Sequence, residues 1–303
     1  AHNPLYQQGM FTSVQAAVKM LPSETRAFFI LPVDIPLVRP WNFRRATALF
    51  EQHNPVAVRP CFEDQPGHPP LISFELAHEI LNYQGRGGLG GLLQNHARKI
   101  IDFPTFDRNV LLDMDYPEDY ARIRERSRAL GRLDQEEALA LVSRVMPMSQ
   151  AGLAHGRAVA DTARALAGAL NKAGCSVDAH LAWVCGLVHD MAKGSPDHEK
   201  AGGRILEEMG LREMVQPVAC HRDVILNQHQ EVTVTEVVCL ADKLTRGPAR
   251  ITVQDRFQEK LDLFHDDQEA TAAISRRLRN ALQVQQRIEH ILGCPVSEII
   301  PAL

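Results

Sequence analysis

The stretch that most constrains this chain is Leu181 to Ala192, an apolar run interrupted only by His189 and Asp190. Its hydrophobic residues fall on every side at helical spacing, so the run reads as a helix buried all round. An imidazole and a carboxylate without partners in such a place cost several kcal/mol, and something must compensate them. Two compensations are open: a hydrogen-bonded core pair, or a metal ion. The dipeptide alone does not choose, because His265-Asp266 repeats it inside the polar stretch Phe264 to Glu269. Only the surroundings of the first copy give it weight.

Those surroundings are apolar helices that each carry one or two polar residues. A helix is expected from about Met148 to Ala173, with Val159, Thr162, Ala163, Leu166 and Leu170 on its inner face and His155 continuing that stripe. A lone His on such a face is more often a satisfied core residue than a ligand. After Lys193 the segment Gly194-Ser195-Pro196-Asp197 reads as a short loop delivering His198 to a new helix, and Met214 to His221 places His221 at the end of an apolar segment. Val232 to Leu244 carries Asp242 and Lys243 within Val237-Val238-Cys239-Leu240-Ala241-Asp242-Lys243-Leu244. His155, His189, Asp190, His198, His221 and Asp242 are thus six nitrogen or oxygen donors from several helices, and they call for a common centre. The helix expected from Gln268 to Leu292 is charged on one face and apolar on the other, a packing element.

This ordered set, with Gly186-Leu187-Val188-His189-Asp190-Met191-Ala192-Lys193 and Leu240-Ala241-Asp242-Lys243, resembles the HD-domain metal-dependent phosphohydrolases over about residues 150 to 250. The resemblance implies an all-α bundle in which Asp190 bridges metal ions. The additional His198 and His221 are similar to the subgroup with two ions, among them bacterial hydrolases of dinucleoside polyphosphates. Imidazole and carboxylate without thiolate suit Fe, Mn, Co or Zn in an open site rather than a closed structural zinc site. Two such ions lower the pKa of a shared water and clamp the attacking and leaving oxygens of a phosphoryl group. Lys193 has the place to offset phosphate charge, or equally to stabilise a helix end as a solvated lysine. Arg222 and Arg246 are weaker candidates for the phosphate.

The first half has another character: Pro and strand-like runs concentrate there, and the composition shifts near Arg124 to Leu133. That shift sets expected domains at 1–126 and 134–303, in keeping with two domains for 303 residues. Ser13 to Leu21 reads as a helix ended by Pro22, and Arg26 to Pro36 as a buried strand emerging at Asp34. Asp34 has the address of a cation ligand beyond a strand end, and equally that of a turn-capping Asp. A helix around Trp41 to Gln52, a strand Val56 to Phe62, a helix Ser73 to Leu81 and strands Lys99 to Phe103 and Asn109 to Leu112 follow. The glycines from Gly85 to Gly91 lack a Gly-Lys-Ser/Thr ending and are no P-loop; they read as a flexible helix start. Pro117 suits the first turn of a closing helix with acids at its positive end.

Gly9-Met10-Phe11-Thr12-Ser13-Val14, Leu31-Pro32-Val33-Asp34-Ile35-Pro36-Leu37-Val38, Gly67-His68-Pro69 and Asp113-Met114-Asp115-Tyr116-Pro117-Glu118-Asp119, in this order, resemble the later part of the molybdenum cofactor nucleotidyltransferases, cytidylyltransferase branch. The resemblance covers almost all of residues 1 to 125. It implies a partial Rossmann-like, glycosyltransferase-A-like α/β domain that joins a nucleoside monophosphate from CTP or GTP to molybdopterin. By it Asp34 holds Mg²⁺, Gly67, His68 and Pro69 line the pterin side, and Asp113 or Asp115 supports the site. Such enzymes open with a strand and a glycine-rich loop that grip the triphosphate, which has no counterpart here, and Tyr116 stands where Thr is usual. Weak CTP binding is therefore expected, with a sheet edge or apolar face that a second copy, another chain or the helical domain covers.

Composition adds limits. A formal net charge of −4 gives no global pull toward nucleic acid or an acidic membrane. The six cysteines are scattered without CxxC, several in apolar runs, which fits a reducing cytosol. No apolar run reaches the roughly 18 residues of a membrane span, so a cytoplasmic protein is expected. The functional expectation is a metal-dependent phosphohydrolase acting on a nucleotide or related phosphate ester, fused to a nucleotidyltransferase-like domain. The alternative is a nucleotide sensor or regulator for molybdenum cofactor synthesis that keeps its metals without turnover.

Overall fold

The computed structural model describes residues 2–226 and 231–300. Two compact units form, Ala1–Ser127 and Arg128–Leu303. Among the described residues no helix is long and apolar enough to cross a membrane.

The first unit is built on a mixed sheet with helices on both faces. In chain order it contains α1 (Met10–Val18), β1 (Ala27–Phe29), α2 (Pro40–His53), β2 (Ala57–Phe62), β3 (Gln65–Pro66), β4 (Leu71–Ser73), α3 (Ala77–Asn82), α4 (Gly88–Gln94), β5 (Ile100–Pro104) and α5 (Pro117–Ser127). β2 is central: Ala57 pairs with Ile72 of antiparallel β4 on one side and with Ile100 of parallel β5 on the other. Because alternate residues of a strand face opposite ways, Ala57 and Ile72 enter one core with Val18, Ile80, Leu92 and Leu93. Val58 and Leu71 enter the other, with Ala46, Leu49, Phe50 and Phe103.

Three expected elements differ. The strand expected over Arg26 to Pro36 is paired only over Ala27–Phe29, where it meets β4, and the chain turns after Pro32. Ser73, read as a helix start, closes β4 and caps a short 3₁₀ turn ahead of α3. Asn109 to Leu112, read as a strand, instead falls in a 3₁₀ turn at Arg108–Leu111 and the residue that follows it. The cause is Asp107, fully buried, whose carboxylate accepts from the Asn109 backbone and from the side chains of Arg39, Asn42 and Asn109, the three side-chain bonds each at 2.7 Å. A charge that deep persists only when it is paired and hydrogen-bonded, so the turn is tied to this network and not to a ladder.

The second unit is helical apart from a two-stranded ribbon. It contains α6 (Gln135–Ala140), α7 (Gln150–Lys172), α8 (Ala179–Val188), α9 (His198–Glu208), α10 (Arg212–Ala219), α11 (Val234–Lys243), β6 (Thr245–Arg246), β7 (Ala249–Arg250), α12 (Val253–Leu263), α13 (Gln268–Leu292) and α14 (Val296–Ile299). The starts follow from capping chemistry: Asp134 and Thr233 form capping boxes with Glu137 and Glu236, and Ser149, Asp178, Thr252 and Asp267 each accept a backbone N–H of the first turn. α13 ends at Gly293, whose φ of 70° is the left-handed conformation that glycine adopts without strain.

Candidate metal centre

The centre is founded on the packing of α7 against α8. A Cβ on Gly186 would stand 2.8 Å from the Ala160 Cα, and one on Gly156 would stand 2.5 Å from the Leu187 carbonyl oxygen. Only glycine at both places lets the helix backbones approach this closely, and the approach sets the His155 ring 5.2 Å from that of His189, edge to face. α8 is buried from Ala182 to Val188, as the apolar run requires, and His189 follows with no exposed surface.

The other donors arrive on separate elements. His155 lies in α7, His189 and Asp190 directly follow α8, His198 opens α9, His221 lies two residues past α10, and Asp242 is near the end of α11. His155 Nε2 is 3.2 Å from Asp242 Oδ1, and His189 Nε2 is 3.7 Å from both Asp242 Oδ1 and Asp190 Oδ2. Asp190 Oδ1 lies 3.1 Å from His198 Nε2 and 3.6 Å from His221 Nε2. Two three-residue groups have ligand atoms within 4.8 Å of one another: His155, His189 and Asp242, and His189, Asp190 and His221. His189 is common to both, while Asp190 stands between His189 and the pair His198 and His221.

Three observations test whether these residues fit a metal. His189 Nε2 is buried and has no hydrogen-bond partner among the described residues, a cost that an electron-pair acceptor would remove. The Nδ1 atoms of His155, His189 and His221 face the backbone carbonyls of Gly247, Gly186 and Val218 at 3.2, 2.7 and 2.7 Å. A carbonyl only accepts, so each Nδ1 carries the proton and donates, which leaves the Nε2 lone pair directed inward, the way a backbone carbonyl orients a metal-binding histidine. Finally, the donors are imidazole and carboxylate alone. The nearby Cys239 is pushed up by burial to about 11 and Cys185 higher still, so neither offers a thiolate. The residues present fit a divalent cation.

The charges agree. Burial lowers His189, and burial together with His189 lowers His221 to about 3, so both rings are neutral and able to ligate. Burial opposes the charge on Asp190 and Asp242 but is outweighed. For Asp190, the Lys193 ammonium bonded at 2.7 Å keeps the carboxyl below the usual carboxylate range. For Asp242, the ammonium of Lys243 and then the guanidinium of Arg256 hold it well below that range. The Lys243 ammonium, itself buried, donates to Asp242 Oδ2 at 2.8 Å and to the His221 carbonyl at 2.9 Å, and Arg256 reaches Asp242 Oδ1 at 3.1 Å.

Among the expected phosphate contacts, Lys193 donates to Asp190 Oδ2 at 2.7 Å and lines a cavity of about 250 Å³ over the centre together with Arg222. Arg246 does not line it; it is turned out to Glu259 at 2.6 Å. Arg256, Lys260 and Arg277, which line the same cavity, escaped the sequence reading. A signal existed in the spacing of Arg256 and Lys260, four apart on one face of α12 with Phe257 buried beside them.

In the first unit, Gly67 and His68 line a cavity of about 880 Å³ with Phe11, Phe28 and Ile30, whereas Asp34, Pro69, Asp113 and Asp115 are not among its lining residues. Asp34 sits in the turn after β1 with Oδ1 buried and without a hydrogen-bond partner among the described residues. Asp113 and Asp115 are exposed. β1, at the edge of the sheet, pairs only with β4 among the described residues.

Comparison with known proteins divides the chain in the same way. The family described as MobA-like NTP transferase domain matches residues 1–100, and the family described as HD domain matches residues 152–247. The chain joins an NTP transferase-like domain to an HD domain. The molybdenum cofactor cytidylyltransferase of Escherichia coli K12 is 30% identical over 125 residues, 41% of this chain. The chain spans 62% of the length of that relative. The HD domain match extends from α7 through Gly247, so all six donors lie inside it, and it carries the divalent-metal character that the His and Asp groups display. α12 and α13, with Arg256, Lys260 and Arg277, lie beyond it.

Proposed function

We propose that the HD domain is a metal-dependent phosphohydrolase acting on a nucleotide or related phosphate ester, with two divalent ions of the Fe, Mn, Co or Zn group. The observation that carries this reading is the convergence of His155, Asp190, His221 and Asp242 on a buried His189 whose Nε2 has no hydrogen-bond partner among the described residues, with His198 joined to the group through Asp190 at 3.1 Å. His155, His189 and Asp242 would hold one ion, and Asp190, His198 and His221 the other, with His189 and Asp190 at the junction. Ions bound there supply positive charge beside a phosphoryl oxygen and acidify a water molecule. The chain's own residues do the rest. The Nδ1 protons, fixed on backbone carbonyls, keep the ring lone pairs inward, and Lys243 and Arg256 clamp Asp242 between them. Lys193, with most of its side chain exposed at the cavity and its ammonium bonded to Asp190, would place positive charge beside a phosphate there.

For the first unit the likeness to a molybdenum cofactor cytidylyltransferase supports a nucleotidyltransferase reading of the same type, with Asp34 toward Mg²⁺ and Gly67, His68 and Pro69 toward the pterin. The lining of the large cavity by Gly67 and His68 favours it.

The test compares Asp190→Ala with Asp266→Ala. Asp190 is shared by three histidines, whereas Asp266 pairs with His265 on an exposed segment. Asp190→Ala is expected to lower bound metal, measured by elemental analysis, and to abolish hydrolysis in a screen of nucleotide phosphate esters; Asp266→Ala changes neither. Equal behaviour of the two variants refutes the choice of centre. Metal retained by the parent chain with no turnover across the screen favours the nucleotide sensor.

A further inference from the structure

Two helices beyond the HD match shape what lies next to the centre. On α12, Arg256, Lys260 and Leu263 recur at spacings of four and three; on α13, Ala270, Ala273, Ile274 and Arg277 recur at three, one and three. Each set therefore falls on one helix face. Two cavities open between these faces, about 250 Å³ around Asp190, His198, His221 and Asp242, and about 630 Å³ around Leu263, Phe264, Ala270 and Ala273. They share Arg222, Lys260, Ile274 and Arg277. A molecule running from the centre to the outer cavity passes those cations.

The cations differ in how far they are already satisfied. Next to the centre, Lys193 is matched by Asp190 at 2.7 Å, Lys243 by Asp242 at 2.8 Å and Arg256 by Asp242 at 3.1 Å. Further out, Arg222 reaches Glu199 only at 3.5 Å, and Lys260 and Arg277 make no ion pair among the described residues. Burial, then Arg256 and Lys243, push the Lys260 ammonium down, and burial with Arg222 does the same to Arg277. Like charges gathered in a concave place attract an anion. The acids of the outer cavity are Asp267 and Glu269, and Asp267 is occupied in capping α13 through the Ala270 N–H. Beyond the cations, Leu263 and Phe264 expose 73% and 44% of their surface, an apolar lip against which a flat ring can lie.

We propose that Lys260 and Arg277, reinforced by Arg222, form a second anion subsite beside the His and Asp centre. The substrate class is then one with at least two linked phosphoryl groups ending in an apolar or aromatic group, as in a nucleoside oligophosphate, rather than a simple monoester. The inference rests on the phosphohydrolase reading of the centre for its orientation. A single phosphate at the centre has Lys193 at hand, so cations placed outside the ligand set are explained by a second charge on the same molecule.

The experiment reads binding and not turnover. Calorimetry of the full chain with methylphosphonate and with methylenediphosphonate, neither hydrolysable, is run at one fixed manganese(II) concentration so that chelation by the probe cancels between variants. The parent chain is expected to prefer the diphosphonate. Lys260→Ala with Arg277→Ala is expected to lower the ratio of the two affinities about tenfold or more, the size of a lost charge-assisted hydrogen bond. Lys260→Arg restores most of it, and Arg279→Ala, on an exposed residue outside both cavities, leaves it unchanged. An unaltered ratio in the double variant overturns the proposal, as does a parent chain that binds both probes alike. Circular dichroism checks folding, and if the double variant unfolds, the single variant Arg277→Gln takes its place, with the same fall in the ratio expected and an unaltered ratio again overturning the proposal. Absence of hydrolysis refutes the phosphohydrolase reading and leaves this ratio standing, so the two failures are told apart.

Discussion

Lys243 is the residue through which folding and metal binding should compete most directly. It is 4% exposed, and its ammonium donates to Asp242 Oδ2 at 2.8 Å and to the His221 carbonyl at 2.9 Å. Lys243→Met keeps the length and removes the charge. Breaking a buried ion pair from one side costs about 3–5 kcal/mol. Here Arg256 still faces Asp242 at 3.1 Å, so the lower end applies, about 3 kcal/mol in metal-free protein. For a domain this size that is about 6–12 °C in melting temperature. A divalent cation on Asp242 replaces much of what the ammonium supplied. The loss should therefore shrink in excess metal, and by linkage the variant should bind metal more tightly than the parent. Urea unfolding followed by circular dichroism, with chelator and with manganese(II), measures both arms. A metal-free loss under about 0.5 kcal/mol, or an identical loss in the two conditions, refutes the view of Lys243 as the stand-in charge for the metal.

Other perturbations test the frame. Gly186→Val places a Cβ 2.8 Å from the Ala160 Cα and two methyls beyond it, so α7 and α8 must part; about 1–3 kcal/mol of stability is lost and bound metal falls with it, read by melting and elemental analysis. Asp107→Ala leaves the buried Arg39 without its carboxylate at 2.7 Å, costing about 3–5 kcal/mol in the first unit's unfolding while metal content stays at the parent level. Asp178 sits below its ordinary value: burial opposes the charge, but the Leu181 N–H and the Arg132 guanidinium outweigh it. A depressed carboxyl adds stability that is fully present above the unfolded value, near pH 4, and is lost as the pH falls through the folded value. Asp178→Ala should thus lower the urea midpoint fully at pH 6 and by a steadily smaller amount as the pH is taken from about 4 down through the depressed folded value; a deficit that does not change over that descent contradicts the assignment.

The helical unit was legible because its cause is local. Apolar residues at helical spacing mark the helices that carry His155, His189 and Asp242, and Gln268 to Leu292 is found where periodicity puts it, whereas α12 and α14 were not expected. The first unit was read less well because two of its elements are set from a distance. Asn109 lies in a turn since Asp107 gathers Arg39 and Asn42 from the start of α2, 68 and 65 residues upstream, and Ser73 completes a strand since Ala27 pairs with it. A pattern of alternation or helical spacing has no access to either partner. In both places a polar or short side chain read as a local signal is answering a long-range one.

The centre divides along the same line. His189 and Asp190 stand out because burial makes them anomalous, and His155, His198, His221 and Asp242 follow as residues that lack any other reason to lie against apolar helix. Arg256, Lys260 and Arg277 give no such contrast, since a cation on an amphipathic helix is the ordinary residue of a solvated face. What distinguishes them is what the fold withholds: Arg256 is turned inward onto Asp242, and Lys260 and Arg277 are held beside other cations with no carboxylate within ion-pair distance among the described residues. A candidate ligand is thus marked by the environment its neighbours in sequence impose on it. A cation of the proposed second anion subsite is marked only by the ion-pair partners it lacks in space among the described residues, which explains why the six candidate donors stand out in the chain and Lys260 and Arg277 do not.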